Sequence, residues 1–115
     1  MSYKLFIDDE RFPVEEDAWV IARSTEEAKW IVEAYGMPQE IAFDHDLGGD
    51  DTSIKFINWM ITNIVDGELK IPSSFSYSVH SQNPVGAANI KFKMDAIVKL
   101  YKGTNMRMYC EDESK

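Results

Sequence analysis

Ile41-Ala42-Phe43-Asp44-His45-Asp46-Leu47-Gly48-Gly49 is a short apolar run that breaks into two carboxylates around a histidine and closes on a glycine pair. A run of this length with no polar alternation suits a strand buried on both faces, as in a parallel sheet. The same pattern recurs on either side. Upstream, Leu5-Phe6-Ile7 runs into Asp8-Asp9-Glu10, and Trp19-Val20-Ile21-Ala22 runs up to Ser24. Downstream, Phe75, Tyr77 and Val79 alternate with Ser76 and Ser78 and end at His80-Ser81-Gln82-Asn83-Pro84.

Helical signals fill the intervals. Ser24 with Glu27 three residues on forms a capping box; Ala28, Ile31, Val32 and Tyr35 follow at helical spacing, and Gly36 with Pro38 closes the segment. Phe56, Ile57, Met60, Ile61, Ile64 and Val65 lie on one face of a second helix that stops at Gly67. Asn83 as N-cap and Pro84 as first helical residue start a third, continued by Ala87, Ile90, Met94, Ile97 and Tyr101 toward Gly103. Met106 to Tyr109 reads as a short fifth strand, and residues 111–115 as a frayed tail. The connection from Asp9 to Ala18 contains Pro13 and is near the lower limit for a crossover, so a full first helix is not expected there.

Strands alternating with helices predict an α/β fold with a mainly parallel sheet of four to five strands, one domain over residues 1–110. The chain has 115 residues, enough for a single core. Twelve Lys+Arg against 20 Asp+Glu give a net charge of −8, which argues against binding along nucleic-acid backbones. No stretch approaches a membrane span, and Met1 leads almost directly into a strand, so the expectation is a cytoplasmic protein. With only Cys110, no intrachain disulfide and no cysteine-built zinc site are expected.

In open parallel sheets ligands bind beyond the carboxyl ends of the strands. Three strand candidates end there in polar clusters, and the only two histidines, His45 and His80, belong to two of them. The reading therefore expects both imidazoles at one rim. Asp8 and Asp9 beside Asp44 would repel one another unless a cation sits among them, which suggests a divalent ion such as Mg²⁺ or Mn²⁺. The helix starting at Asn83-Pro84 directs backbone N–H groups at the same rim and favours an anion. Ser81, Gln82 and Asn83 add hydrogen-bond partners, Gly86 would allow close approach of a ligand, and Arg11 either pairs with a phosphate oxygen or with Glu15 or Glu16. Two histidines across a phosphate suit acid–base work on a cyclic phosphodiester. Asp44 or Asp46 would orient a histidine or hold the metal.

Asp8-Asp9-Glu10-Arg11-x-Pro13, Phe43-Asp44-His45-Asp46-Leu47-Gly48 and Val79-His80-Ser81-x-Asn83-Pro84-x-Gly86 together resemble the cyclic-phosphate processing receiver-like family, met in bacteria and their phages. The resemblance spans roughly residues 4 to 101. It implies a receiver-like, flavodoxin-type three-layer sandwich with its first helix and C-terminal part reduced. By position it implies metal binding at Asp8 and Asp9, the phosphoacceptor position of receivers at Asp44, and the switch hydroxyl at Ser81. His45 and His80 are additions that ordinary receivers lack, and the strand-terminal Lys-Pro of signalling receivers is missing.

Three functions compete. The first is a hydrolase acting on a cyclic nucleotide or an RNA 2′,3′-cyclic-phosphate end, with His45 and His80 as acid–base pair and Asp44 and Ser81 beside them. The second is a phosphoacceptor module using Asp44. The third is a non-catalytic accessory protein whose acidic surface holds a basic protein partner.

Overall fold

A computed structural model describes residues 2–101. Four parallel strands, β1 (Lys4–Ile7), β2 (Val20–Ala22), β3 (Glu40–Phe43) and β4 (Ser76–Val79), form one sheet in the order β2-β1-β3-β4. Three helices, α1 (Thr25–Tyr35), α2 (Ser53–Val65) and α3 (Pro84–Tyr101), complete an α/β domain of receiver-like, flavodoxin type. The fifth strand expected at Met106–Tyr109, the stop at Gly103, Cys110 and the 111–115 tail lie outside the described residues.

Local chemistry sets the helix ends. Ser24 Oγ accepts the Glu27 N–H at 3.1 Å, as its capping position requires. The Glu27 carboxylate reaches one residue beyond the usual capping-box partner and accepts from the Arg23 N–H at 2.6 Å. Gly36, at φ 83°, ends α1 in a conformation that side chains resist. Tyr35, counted on the apolar face from spacing alone, is exposed and stands edge-on to Tyr3. Val65 is likewise exposed, whereas Phe56, Ile57, Met60 and Ile64 are buried.

Strand alternation divides the sheet into two unlike faces. Leu5, Ile7, Ile41 and Phe43 have no exposed surface and meet the buried residues of all three helices in one core. Steps from β2 to β3 and from β3 to β4 run in one direction, so right-handed crossovers place α1 and α2 on that face, and α3 packs against α2. The step from β1 to β2 runs the other way. Its connection therefore crosses the opposite face, and it contains one 3-10 turn, Glu16–Ala18, in place of a helix. Lys4, Phe6, Ala42 and Ser78 point to this second face. All four strands deliver their carboxyl ends to the same edge, where the candidate residues gather.

Candidate functional site

β1 ends because Asp8 turns the chain. Its Oδ1 accepts the N–H groups of Glu10 (3.0 Å) and Arg11 (2.9 Å), while Oδ2 receives Arg11 Nε at 2.8 Å and His80 Nε2 at 3.1 Å. Four donors fill the four lone-pair directions of a carboxylate whose side chain is wholly buried. Burial pushes the Asp8 carboxyl up, but these N–H groups, the guanidinium charge and His80 together hold it below its ordinary value. Arg23 secures the turn from outside by donating to the carbonyls of Asp8 (2.9 Å) and Arg11 (2.6 Å).

Arg11 does not pair with Glu15 or Glu16. Its second arm reaches Asp44 Oδ2 at 3.4 Å, so the guanidinium bridges the carboxylates that end β1 and β3. Two buried carboxylates attract it more strongly than two solvated ones. The cation that the acidic cluster demands is thus partly supplied by the chain. Burial and the neighbouring Asp8 charge raise the Asp44 carboxyl above its ordinary value, with Arg11 and His80 opposing.

Asp8, Asp9 and Asp44 each offer an oxygen, and these lie within 4.8 Å of one another. Three ionised carboxylates less one guanidinium leave two negative charges, the amount a divalent ion cancels, and an all-oxygen donor set suits Mg²⁺ or Mn²⁺. Asp9 and Asp44 therefore fit such an ion as ligands, with Asp8, its lone pairs already taken, adding charge beside them. Asp46, expected as a fourth ligand, lies outside this group and accepts from His45 Nδ1 at 3.1 Å and Asn83 Nδ2 at 3.3 Å. Those bonds, His45 first, hold its carboxyl below the ordinary value.

His80 follows β4, its N–H donating to the Phe43 carbonyl at 2.8 Å. Its ring lies flat on Phe6, with centroids 4.7 Å apart and planes 4° from parallel. Burial lowers its pKa against the opposing pull of Asp8, which favours the neutral ring. An ionised carboxylate only accepts, so Nε2 carries the proton and Nδ1 keeps its lone pair, with no hydrogen-bond partner among the described residues. His45 leaves the rim on the other side of the sheet and presses against α3. A Cβ on Gly86 would fall within 2.6 Å of its Cδ2 and 2.7 Å of its Nδ1. Gly86 thus makes room for His45, not for a ligand.

The start of α3 is already capped. Asn83 Oδ1 accepts the Gly86 N–H at 3.0 Å, and Ser81 Oγ accepts the Asn83 N–H at 3.0 Å. The cap uses one of the donors expected to face an anion. A cavity of about 670 Å³ opens between the three loops, lined by Asp9, Glu10 and Arg11 after β1, by Asp44, Asp46, Gly48 and Gly49 after β3, and by Ser81, Gln82 and Asn83 after β4. Most of the expected site residues therefore do converge. The two imidazoles flank this hollow rather than share it: His80 borders a second cavity of about 560 Å³ on the helix-free face, and His45 borders neither. Alternation along the strand ends sends neighbouring side chains to opposite faces, so a shared rim did not guarantee a shared hollow.

Sequence reasoning missed Phe6 and Arg23. Phe6 is legible only in hindsight, as the middle residue of a run buried on both faces. Arg23 stood in view, a lone cation just past a strand end. No curated protein and no solved structure matches the chain. Residues 3–96, however, match the cyclic-phosphate processing receiver domain, and with that coverage and the acidic, histidine-bearing rim just described, the chain belongs to this family.

Proposed function

We propose that the protein hydrolyses a cyclic phosphodiester, in a nucleotide or at an RNA end, on the rim formed by the loops after β1, β3 and β4. The observation that carries this reading is the hydrogen-bonded pair Asp8–His80, joined to Arg11, which lines both the polar hollow and the cavity that His80 borders. Asp8 fixes the imidazole tautomer and stabilises its charge when Nδ1 takes a proton, as a buried carboxylate does for any paired histidine. Water oxygen bonds to phosphorus as one ring P–O bond breaks; Nδ1 of His80 receives the water proton, and solvent returns it to the departing oxygen. The product is a phosphomonoester beside a free hydroxyl. Arg11 uses one N–H on Asp8 and one on Asp44, and its remaining donors are available to phosphoryl oxygens. A divalent ion held by Asp9 and Asp44, with Asp8 adjacent, would supply the further positive charge that an anion needs among these carboxylates. His45 supports the opposite wall through Asp46 and Asn83.

The test is a turnover screen of nucleoside 2′,3′- and 3′,5′-cyclic phosphates and of RNA 2′,3′-cyclic ends, with and without Mg²⁺ or Mn²⁺. His80→Ala should lower kcat by roughly 10²–10⁴-fold, the usual worth of general acid–base catalysis. His45→Ala should lose less, roughly 10-fold, as a supporting group does. Equal turnover in wild type and His80→Ala refutes the assignment. Mg²⁺-dependent labelling of Asp44 by acetyl phosphate, with no hydrolysis of any cyclic substrate, would select the phosphoacceptor reading instead.

A further inference from the structure

The helix-free face carries a cavity whose aromatic lining the proposed chemistry does not use. Phe6, Phe12 and Trp19 line it together with His80 and Arg11, so it shares the imidazole and the guanidinium with the reacting rim. Phe12 is 61% exposed, a large apolar ring held at the surface by Arg23, whose guanidinium lies 4.5 Å above it. Trp19 stands edge-on to Phe6 and carries the Lys4 ammonium 4.7 Å over one face. No ring is stacked on Phe12 or Trp19 among the described residues. An exposed ring, Phe12, and a half-buried one, Trp19, lining the same cavity beside a polar site need a reason. At about 560 Å³ the space matches a small-molecule subsite.

We propose that this cavity is a nucleobase subsite: a planar base stacks among Trp19 and Phe12 while the cyclic phosphate on its ribose reaches Arg11 and His80. The proposal rests on the hydrolase reading and gives it a substrate class, nucleoside cyclic phosphates, as against base-free cyclic phosphates. Continuity decides the occupant. A ligand whose phosphate engages Arg11 and His80 from this side meets the aromatic rings next, and the Lys4 ammonium over Trp19 lies beside the base. Every base offers a π-face, so stacking here binds without reading sequence.

The experiment compares adenosine 2′,3′-cyclic phosphate with ribose 2,3-cyclic phosphate on wild type, Phe12→Ala and Trp19→Ala. In wild type kcat/KM should favour the nucleoside by at least roughly 10-fold, within the usual worth of base stacking, and the ratio should fall toward one in each variant. Because Phe12 is exposed, Phe12→Ala keeps the fold if Trp19→Ala does not. A ratio near one in wild type, or a ratio unchanged in Phe12→Ala, overturns the subsite. A second measurement separates it from the hydrolase reading: AMP is titrated against the indole N–H resonances. Saturable movement of the Trp19 signal, with Trp30 and Trp59 unmoved, supports the subsite even if no cyclic phosphate turns over. No saturable movement of Trp19 overturns the subsite even if hydrolysis is found.

Discussion

Asp44 and Gly86 illustrate how much one side chain decides at this rim. Asp44 ionises against burial and against Asp8, so its pKa in the folded chain lies above the unfolded value of about 3.9. Such a group weakens the fold once it is ionised, above the folded pKa, and has no effect below the unfolded one. Asp44→Asn should therefore raise Tm at pH 7, and the gain should vanish as pH falls through about 4; thermal melts across pH 3–8 check the sign. Gly86→Ala acts through shape. Its Cβ would meet the His45 ring, which is held between α3 and Asp46 and has little room to move. Overpacking of this kind costs about 1–3 kcal/mol, and urea unfolding with the His45 ring resonances should show lost stability together with a displaced imidazole. The residue types at both positions were legible. The partners were not, because nothing in a sequence says that a glycine in α3 faces a histidine after β3.

At the scale of elements, the polar loops are fastened to one another as well as to their own strands. Asn83 caps α3 through its carbonyl and holds the β3 loop through its amide, which donates to Asp46. Asn83→Ala removes both, and the expected destabilisation lies in the upper half of the ~0.5–2 kcal/mol that an N-cap is worth. Asn83→Asp, which retains the cap and places a second carboxylate beside Asp46, separates the two roles: in guanidinium unfolding it should recover most of the cap contribution at low pH and less at pH 7. Cap and helix start were plain from Asn83-Pro84, because capping is a matter of neighbouring residues. The bond to Asp46 joins residues 37 apart, and only the parallel pairing of β3 with β4 brings them together.

For the whole molecule, the gathering of Asp8, Asp9 and Asp44 leads to a prediction that divalent ions stabilise the fold. Mg²⁺ that binds only the folded chain stabilises it by mass action, about 2.7 kcal/mol at a hundredfold excess over Kd. Tm should rise with Mg²⁺, return to baseline with EDTA, and respond weakly in Asp9→Asn, whose exposed side chain leaves the Asp8 network intact. A shift of the same size in Asp9→Asn would place the ion elsewhere. The strand runs, the helix starts and the polar strand ends follow from the sequence alone, because hydrophobic periodicity and capping are local and short parallel strands advertise themselves as unbroken apolar runs. The missing first helix follows from it too, through the shortness of the Asp9–Ala18 connection. Tertiary structure alone decided which carboxylate takes Arg11, that His80 rather than His45 joins the buried acid, and that an aromatic cavity opens on the face without helices. Those outcomes depend on which side of a sheet a side chain leaves and what another strand puts there, and neither quantity is carried by any single stretch of chain.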